Sequence, residues 1–295
     1  MATGISISTT SNLSSGQKIL VASAKMSFEP AMPDPDLISS EKIPLGHKQW
    51  DISTYARLAQ ANALTEGVDY AQTEQLVTNT LSITPSEHGV MVLLSKRLIR
   101  RQGDGSVVGN AGKLIGTSLK LRMANDVVAL YDTATKSIVG AGSPLDVTYF
   151  RGAVAYLLTD NNTAYGPAPM PLKASLHIEQ ISDIILDITD PGAVVSSRFG
   201  LSAEMLVRWW KGSDRLYGVQ VFNGGTITRD ASDDSKGGLF NEGAMHIVYA
   251  NEAEATEEDD KSLRAIEYGL FQEWGEGLQV DPHLVEVYSD TAATV

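Results

Sequence analysis

Trp50-Asp-Ile-Ser-Thr-Tyr-Ala-Arg-Leu58 and Val77-Thr-Asn-Thr-Leu-Ser-Ile83 are two alternating runs. Leu64-Thr-Glu-Gly67 lies between them, and Thr84-Pro-Ser-Glu-His-Gly-Val90 follows. In the first run Trp50, Ile52, Thr54, Ala56 and Leu58 fall on one face, with Asp51, Ser53, Tyr55 and Arg57 on the other. In the second, Val77, Asn79, Leu81 and Ile83 alternate with Thr78, Thr80 and Ser82. A period of two marks half-exposed strands, so residues 48–95 are predicted to hold a two-stranded arm. At ~3.3 Å per residue, arms of about a dozen residues would reach on the order of 40 Å. An isolated hairpin is marginally stable in water. Such an arm needs a surface to lie on, and a neighbouring subunit can supply one.

Around that arm the chain has the bulk of an ordinary globular protein. Its 295 residues are 43% hydrophobic and 20% charged, enough for one large domain or two modest ones. No stretch of about 18 apolar residues exists, so no membrane-spanning helix is expected. The start, Met1-Ala-Thr-Gly-Ile-Ser-Ile-Ser, lacks the basic and apolar regions of a signal peptide. The absence of cysteine excludes disulfides, thiolate metal sites and a cysteine nucleophile. The net charge of -13 is lopsided: residues 1–150 hold 13 basic and 13 acidic side chains, residues 151–295 hold 10 and 23. That distribution argues against a protein that grips phosphate through clustered Lys and Arg.

Residues 1–36, rich in Ser, Thr and Pro, read as an extended arm. Val90-Met-Val-Leu-Leu-Ser95 reads as a short apolar strand, and Lys96-Arg-Leu-Ile-Arg-Arg101 as a solvated helix face. Between residues 106 and 134, Val108, Ala111, Ile115, Leu119 and Met123 recur at helical spacing. Gly109, Gly112 and Gly116 in that run suggest a close backbone neighbour or a late helix start. A second helix is predicted from Ser143 as N-cap, with Pro144 and Asp146 behind it and Phe150, Val154 and Leu157 facing the core, to about Thr159. Residues 161–171 are a proline-rich loop. Ile178, Ile181, Ile185 and Ile188 form a helical stripe, and a further helix over residues 202–211 should stop at Gly212. Tyr217-Gly-Val-Gln-Val-Phe222 is strand-like, and residues 223–243 read as a mobile Gly- and Asp-rich stretch. Residues 251–260 pack six acids and read as a solvated loop, followed by strands over 263–274 and 279–288. Helices and strands without βαβ alternation give an α+β fold.

Chemistry-bearing motifs do not rise above this background. Gly103-Asp-Gly-Ser-Val-Val-Gly109 fits neither the dinucleotide nor the Walker spacing. His47, His88, His177, His246 and His283 are scattered without zinc-type pairing, and most read as surface or half-buried residues. No Gly-x-Ser-x-Gly elbow occurs. The acidic run lacks a calcium loop's glycine punctuation. Trp209-Trp210 and Trp274 read as core or subunit contacts rather than ligand-stacking aromatics. No catalytic residue, metal ligand or cofactor site is expected, and the chain reads as a non-enzyme.

The order of the pieces carries a resemblance. A polar arm, a hairpin with Glu66-Gly67 near its tip, a strand entered through Ile83-Thr-Pro-Ser-Glu-His-Gly89, and a long helix with Ala124-Asn-Asp126 and Ala129-Leu130 come first. Leu216-Tyr-Gly-Val-Gln-Val221 and the closing Glu267-Tyr-Gly-Leu270 to Val280-Asp-Pro-His283 come last. From about Ile43 onward this series resembles the major capsid proteins of tailed bacteriophages, which have the Hong Kong 97-type fold. The resemblance implies an N-terminal arm at 1–36, an extended E-loop at 37–90, a peripheral domain at 91–141 and 252–275 with a spine helix at 106–134, and an axial domain at 142–251 and 276–295. It implies that the acidic run lies near the domain junction. It further implies self-assembly as pentamers and hexamers into an icosahedral virion shell, built in the bacterial host cytoplasm and enclosing double-stranded DNA without sequence-specific binding. Trp50, Ile52, Arg57, Glu66, Gly67, Leu81 and Ile83 become candidate intersubunit contacts, with no cofactor and no membrane. Portal, scaffolding and decoration proteins are the implied partners.

Two departures shape that expectation. Some relatives crosslink through an E-loop lysine, but no lysine occurs between Trp50 and Ser95, so the contacts should be non-covalent. Some carry a scaffolding domain of about a hundred residues ahead of the E-loop; only some forty stand there, so scaffolding should be a separate protein. The rival readings are an encapsulin-like compartment shell and, from a different class, a soluble enzyme with an unrecognised site.

Overall fold

A computed structural model describes residues 32–44, 46–64, 66–67, 74–102, 106–159, 164–189 and 215–291. Most of the predicted terminal arm, the Gly103–Gly105 loop and the expected helix at 202–211 with Trp209-Trp210 lie outside the described residues. What is described is mixed α and β: a six-stranded sheet, a four-stranded sheet and a two-stranded hairpin, tied together by one long helix.

The six-stranded sheet has the order β5-β12-β9-β6-β8-β7. Its strands are β5 (Ser137–Val139), β6 (Leu172–Leu176), β7 (Arg215–Leu216), β8 (Val219–Asn223), β9 (Asp234–Asn241) and β12 (Leu284–Asp290). Two helices cover one face, α4 (Val147–Leu158) and α5 (Ile178–Thr189), where Phe150, Val154, Leu157, Ile181 and Ile184 meet Leu172, Val221, Leu239 and Val287. Each such side chain contributes roughly 1.5–3 kcal/mol on burial. The other face receives Tyr131 and Val127 from the end of α3 (Ser106–Tyr131), packed on Phe240 and Leu284. Helix α3 is 26 residues long, about 39 Å at ~1.5 Å per residue. Its first half lies on the four-stranded sheet, in the order β1-β10-β11-β4: β1 (Ser39–Lys42), β10 (Met245–Asp260), β11 (Ala265–Leu278) and β4 (Ser86–Ser95). Ala111, Val107 and Val108 meet Val92, Leu94 and Tyr268 there. Between β4 and α3 lies the short helix α2 (Lys96–Gln102), whose Leu98 joins the same cluster.

The long-helix register agrees with the sequence: Ala111, Ile115, Leu119 and Met123 are buried. The predicted reason for its glycines does not hold. An added Cβ at Gly109, Gly112 or Gly116 would meet nothing within 4 Å, and the helix already begins at Ser106. The start of α4 also differs. Asp146, not Ser143, is the N-cap, its carboxylate accepting from Tyr149 N at 2.8 Å. The Ser143 carbonyl is taken instead by the Asp290 amide of β12 at 2.9 Å, which holds residue 143 in the connection. Tyr217-Gly218 forms the turn between β7 and β8, with φ of 51° and 85°. Two positive φ values are what a tight two-residue hairpin requires.

Residues 223–243, expected to be mobile, hold the most buried of the described strands. All of β9 except Lys236 is buried, and glycine is the reason it fits there. A Cβ at Gly237 would stand 2.7 Å from the Ser175 carbonyl, and one at Gly238 would stand 2.6 Å from the Tyr131 ring. Composition suggested a loop where glycine in fact permits close packing. The acidic run is likewise no loop: it is the distal half of β10, paired with β11 from Glu254↔Phe271 to Asp260↔Ala265. It lies toward the far end of that hairpin, where β4 passes into α2, rather than where the two large sheets meet. Strand β4 begins at Ser86, four residues earlier than predicted, because β11 pairs with it as far as Trp274↔Ser86.

Candidate assembly surfaces

The hairpin that decided the sequence reading is present but shorter. Strands β2 (Trp50–Tyr55) and β3 (Thr78–Ile83) pair antiparallel in the register Trp50↔Ile83, Ile52↔Leu81, Thr54↔Asn79. Six paired residues span about 20 Å, not 40. Beyond them Ala56 N still donates to Val77 O at 2.9 Å, and then Arg57 N turns to Ala164 O at 2.6 Å. The first arm leaves its partner at that point, so the ladder ends.

The base of the hairpin meets its own chain. Trp50, Ile52, Leu81 and Ile83 pack with Ile43, Val248 and Ala250. Gly275 and Gly277 of β11 leave room for them: a Cβ at Gly277 would stand 3.0 Å from Leu81 and 3.1 Å from Ile83. The Thr54 hydroxyl also receives a hydrogen bond from Gln279. The same chain thus covers these four residues in part: Ile83 is buried, while Trp50, Ile52 and Leu81 are half-buried against β10 and β11. Arg57 lies against Gly166, beside the loop whose carbonyl meets buried His283 at 3.2 Å.

The outer part of the hairpin is different. Leu58, Leu64, Leu76 and Val77 are exposed, Leu64 at 76% and Leu76 at 62%. Glu66 and Gly67 sit in an exposed turn, Gly67 with φ 81°. Ala59 N donates to Glu74 Oε2 at 2.8 Å, so the two arms remain linked there. These apolar side chains enter no core among the described residues.

The chain entering from the terminal arm is held firmly. Helix α1 (Asp34–Leu37) places Asp34 fully buried, where it accepts hydrogen bonds from Ser175 at 2.5 Å, Tyr131 at 2.9 Å and Thr226 at 3.2 Å. Burial holds its carboxyl above the usual carboxylate range, although the hydroxyl donors pull the other way. One side chain thus joins the strap to α3, β6 and the segment after β8. The sequence carried no signal for it, because a lone Asp beside prolines looks like a turn residue.

Among the described residues no group of three or more His, Asp or Glu is placed to hold a metal, and no helix is long and apolar enough to cross a membrane. His47 is exposed and His88 and His177 are half-buried, as expected for most of the histidines, while His246 and His283 are buried; His88 stacks on Trp274 at 4.0 Å, and Trp274 is a core residue.

No protein-family profile matches the chain, and no curated protein matches it in sequence. Solved structures do match it over nearly its whole length. The head structure of Helicobacter pylori bacteriophage KHP40 aligns with a TM-score of 0.66 at 12% identity, covering 91% of this chain and 93% of that one. The capsid structure of cyanophage P-SCSP1u aligns at 0.64 and 12%, covering 91% of each. The capsid of a native GTA particle aligns at 0.66 and 10%, covering 90% and 93%. The chain has the fold of these capsid and head structures, without close sequence kinship to them.

Proposed function

We propose that this protein is the major capsid protein of a tailed bacteriophage, assembling with copies of itself as pentamers and hexamers into an icosahedral shell around double-stranded DNA. One observation carries the reading: the fold matches capsid and head structures over about nine-tenths of both chains. The outer hairpin supports it, since the exposed Leu58, Leu64, Leu76 and Val77 are suited to burial on another copy.

In this reading the terminal arm is 1–36 and the E-loop 37–90. The long helix with strands from 91–141 and 252–275 forms the peripheral part, and 142–251 with 276–295 the axial part. The pairing of β5 with β12 supports moving residues 137–139 to the axial side. Of the seven candidate contacts, Arg57, Glu66 and Gly67 are the exposed ones. Trp50, Ile52, Leu81 and Ile83 act by fixing the base on which the tip is aimed. The shell then surrounds DNA in the virion without a sequence-specific grip, as the -13 charge suggests. Assembly takes place in the host cytoplasm with scaffolding and portal proteins.

Negative-stain microscopy of the expressed protein tests this. Closed, uniform particles are expected, and in an infection they should protect double-stranded DNA from nuclease. A monodisperse monomer at micromolar concentration, turning over a substrate, would overturn the proposal. Particles filled with an enzyme would favour the encapsulin-like alternative. Hot detergent should return a single band near 31.6 kDa, because the hairpin offers no lysine for a covalent link.

A further inference from the structure

The distal part of the four-stranded sheet is out of balance electrostatically. Strands β4, β10 and β11 carry ten carboxylates and no Lys or Arg. Helix α3 covers one face, which bears Val92, Leu94 and Tyr268. Their cross-strand partners Glu257 and Asp259 point the same way, and Asp259 is paired with Lys96. On the opposite face Leu93 is buried next to α2, while Glu87, Met91, Glu254 and Glu258 are exposed. There the register sets Glu258 directly across from Glu267, and Glu273 directly across from Glu87. Like charges opposed across strands weaken a sheet. Two such pairs on one face are local conflicts that the fold alone does not resolve.

Three further features mark this face as unfinished. Met91 is 54% exposed on it, beside the partly exposed Phe271 ring, which lies over Gly89 and Gly269. Among the described residues the distal half of β10 also has an unpaired edge, since β1 pairs with it only as far as Lys42↔Tyr249. Exposed edge strands are normally covered or guarded by charge. Here the acids guard the edge but overload the face.

The complement stands on the same chain. Arg97, Arg100 and Arg101 are exposed on α2 at helical spacing, so they form one basic stripe. Among the described residues no carboxylate lies in ion-pair range of any of the three, while their neighbour Lys96 reaches Asp259. Within one copy the arginines and the outer acids do not meet. Between copies, opposite charges on two different patches give a head-to-tail contact, which closes into a ring or extends.

We infer that the outer face of β4, β11 and β10 is a docking surface for helix α2 of a second copy, with Arg97, Arg100 and Arg101 answering Glu258, Glu267, Glu254 and Glu273. This rests on the shell-forming reading above and deepens it by naming a second contact, remote from the hairpin tip. The contact steers and orients copies, and it is sensitive to salt.

Charge exchange tests it. Arg100→Glu with Arg101→Glu should raise the protein concentration needed for assembly at least tenfold, measured by sedimentation at low salt. Glu258→Arg with Glu267→Arg should do the same, and mixing the two variants should restore most of the loss. A milder pair, Glu258→Gln with Glu267→Gln, separates docking from folding: it should raise the melting temperature of the unassembled chain yet weaken assembly. Reversed arginines that assemble at the parent's concentration would overturn the inference, as would a mixture no better than either variant. Assembly that needs millimolar calcium and ignores the arginines would assign the face to a cation and also overturn it. In each of those cases the parent still forms shells and only this contact falls. A parent that forms no shells removes the shell reading and this inference together.

Discussion

The six-stranded sheet and the outer structures, hairpin tip and distal sheet, are built to opposite standards. In the sheet buried polar groups are largely settled inside the chain, Glu286 Oε1 being an exception that has Lys236 at 3.7 Å and no hydrogen bond. Gln180 is fully buried, yet its amide nitrogen lies within hydrogen-bond range of Ser235 O, Val287 O and Ser289 Oγ while its oxygen accepts from His177 N. Asp34 is buried among three hydroxyl donors. Outside, leucines stand in solvent and glutamates face each other across strands. The difference teaches that the polypeptide completes one region alone and leaves the other to be completed by association.

The largest expected effect comes from removing the open region. Replacing residues 58–76 by an Asn-Gly turn keeps the paired base, because Ala56 and Val77 are already hydrogen-bonded. Assembly should fall below detection in sedimentation while the melting temperature stays close to the parent's. Normal particles from this variant would break the comparison.

Next is damage to the closed region. Gly238→Val would drive a side chain into the Tyr131 ring, which cannot swing aside because its hydroxyl is held by Asp34. Overpacking of this kind costs up to about 3 kcal/mol, readable as a lower urea midpoint. Unchanged stability would show the sheet to be looser than described.

Asp34→Ala strands three hydroxyl donors at once and should cost about 2–3 kcal/mol. The pH dependence has a definite sign. A carboxyl raised above its unfolded value takes up a proton on folding, so its contribution is full below the ordinary carboxylate range and is lost as pH rises through the raised value. Asp34→Asn should remove that slope from urea midpoints measured across mildly acidic pH. A slope equal to the parent's would exclude Asp34 as its source.

The smallest effect sharpens the comparison rather than breaking it. Gly112 lies exposed in α3 with open space where a Cβ would stand. Gly112→Ala should stabilise the unassembled chain by about 1 kcal/mol through helix propensity. A loss of stability on thermal melting would mean that the glycine meets something within the chain.

The sequence revealed periodic elements well and close packing poorly. The spacing of Ile115, Leu119 and Met123 marked the long helix, and Ile181 and Ile188 marked α5, because one buried face imposes a 3.6-residue rhythm. The alternation in β2 survives as an alternating burial pattern. Strand β9 was hidden because Gly237 and Gly238 signal a loop by composition but serve here to admit Tyr131 and the Ser175 backbone. The acidic half of β10 was hidden because its burial is slight on both faces, leaving no alternation to read. As for the candidate contacts, the sequence located the hairpin but not its division into a packed base and a free tip. That division depends on β10 and β11, nearly two hundred residues away.

Amide hydrogen exchange, compared between assembled particles and the dissociated chain, tests the central claim most directly. Strands β6 and β9 should exchange slowly in both states. Residues 56–64 and 76–77 of the hairpin and 253–259 of β10 should exchange quickly in the free chain and slowly in particles. Equal protection of those outer segments in both states would contradict the account, because it would mean that no second copy completes them.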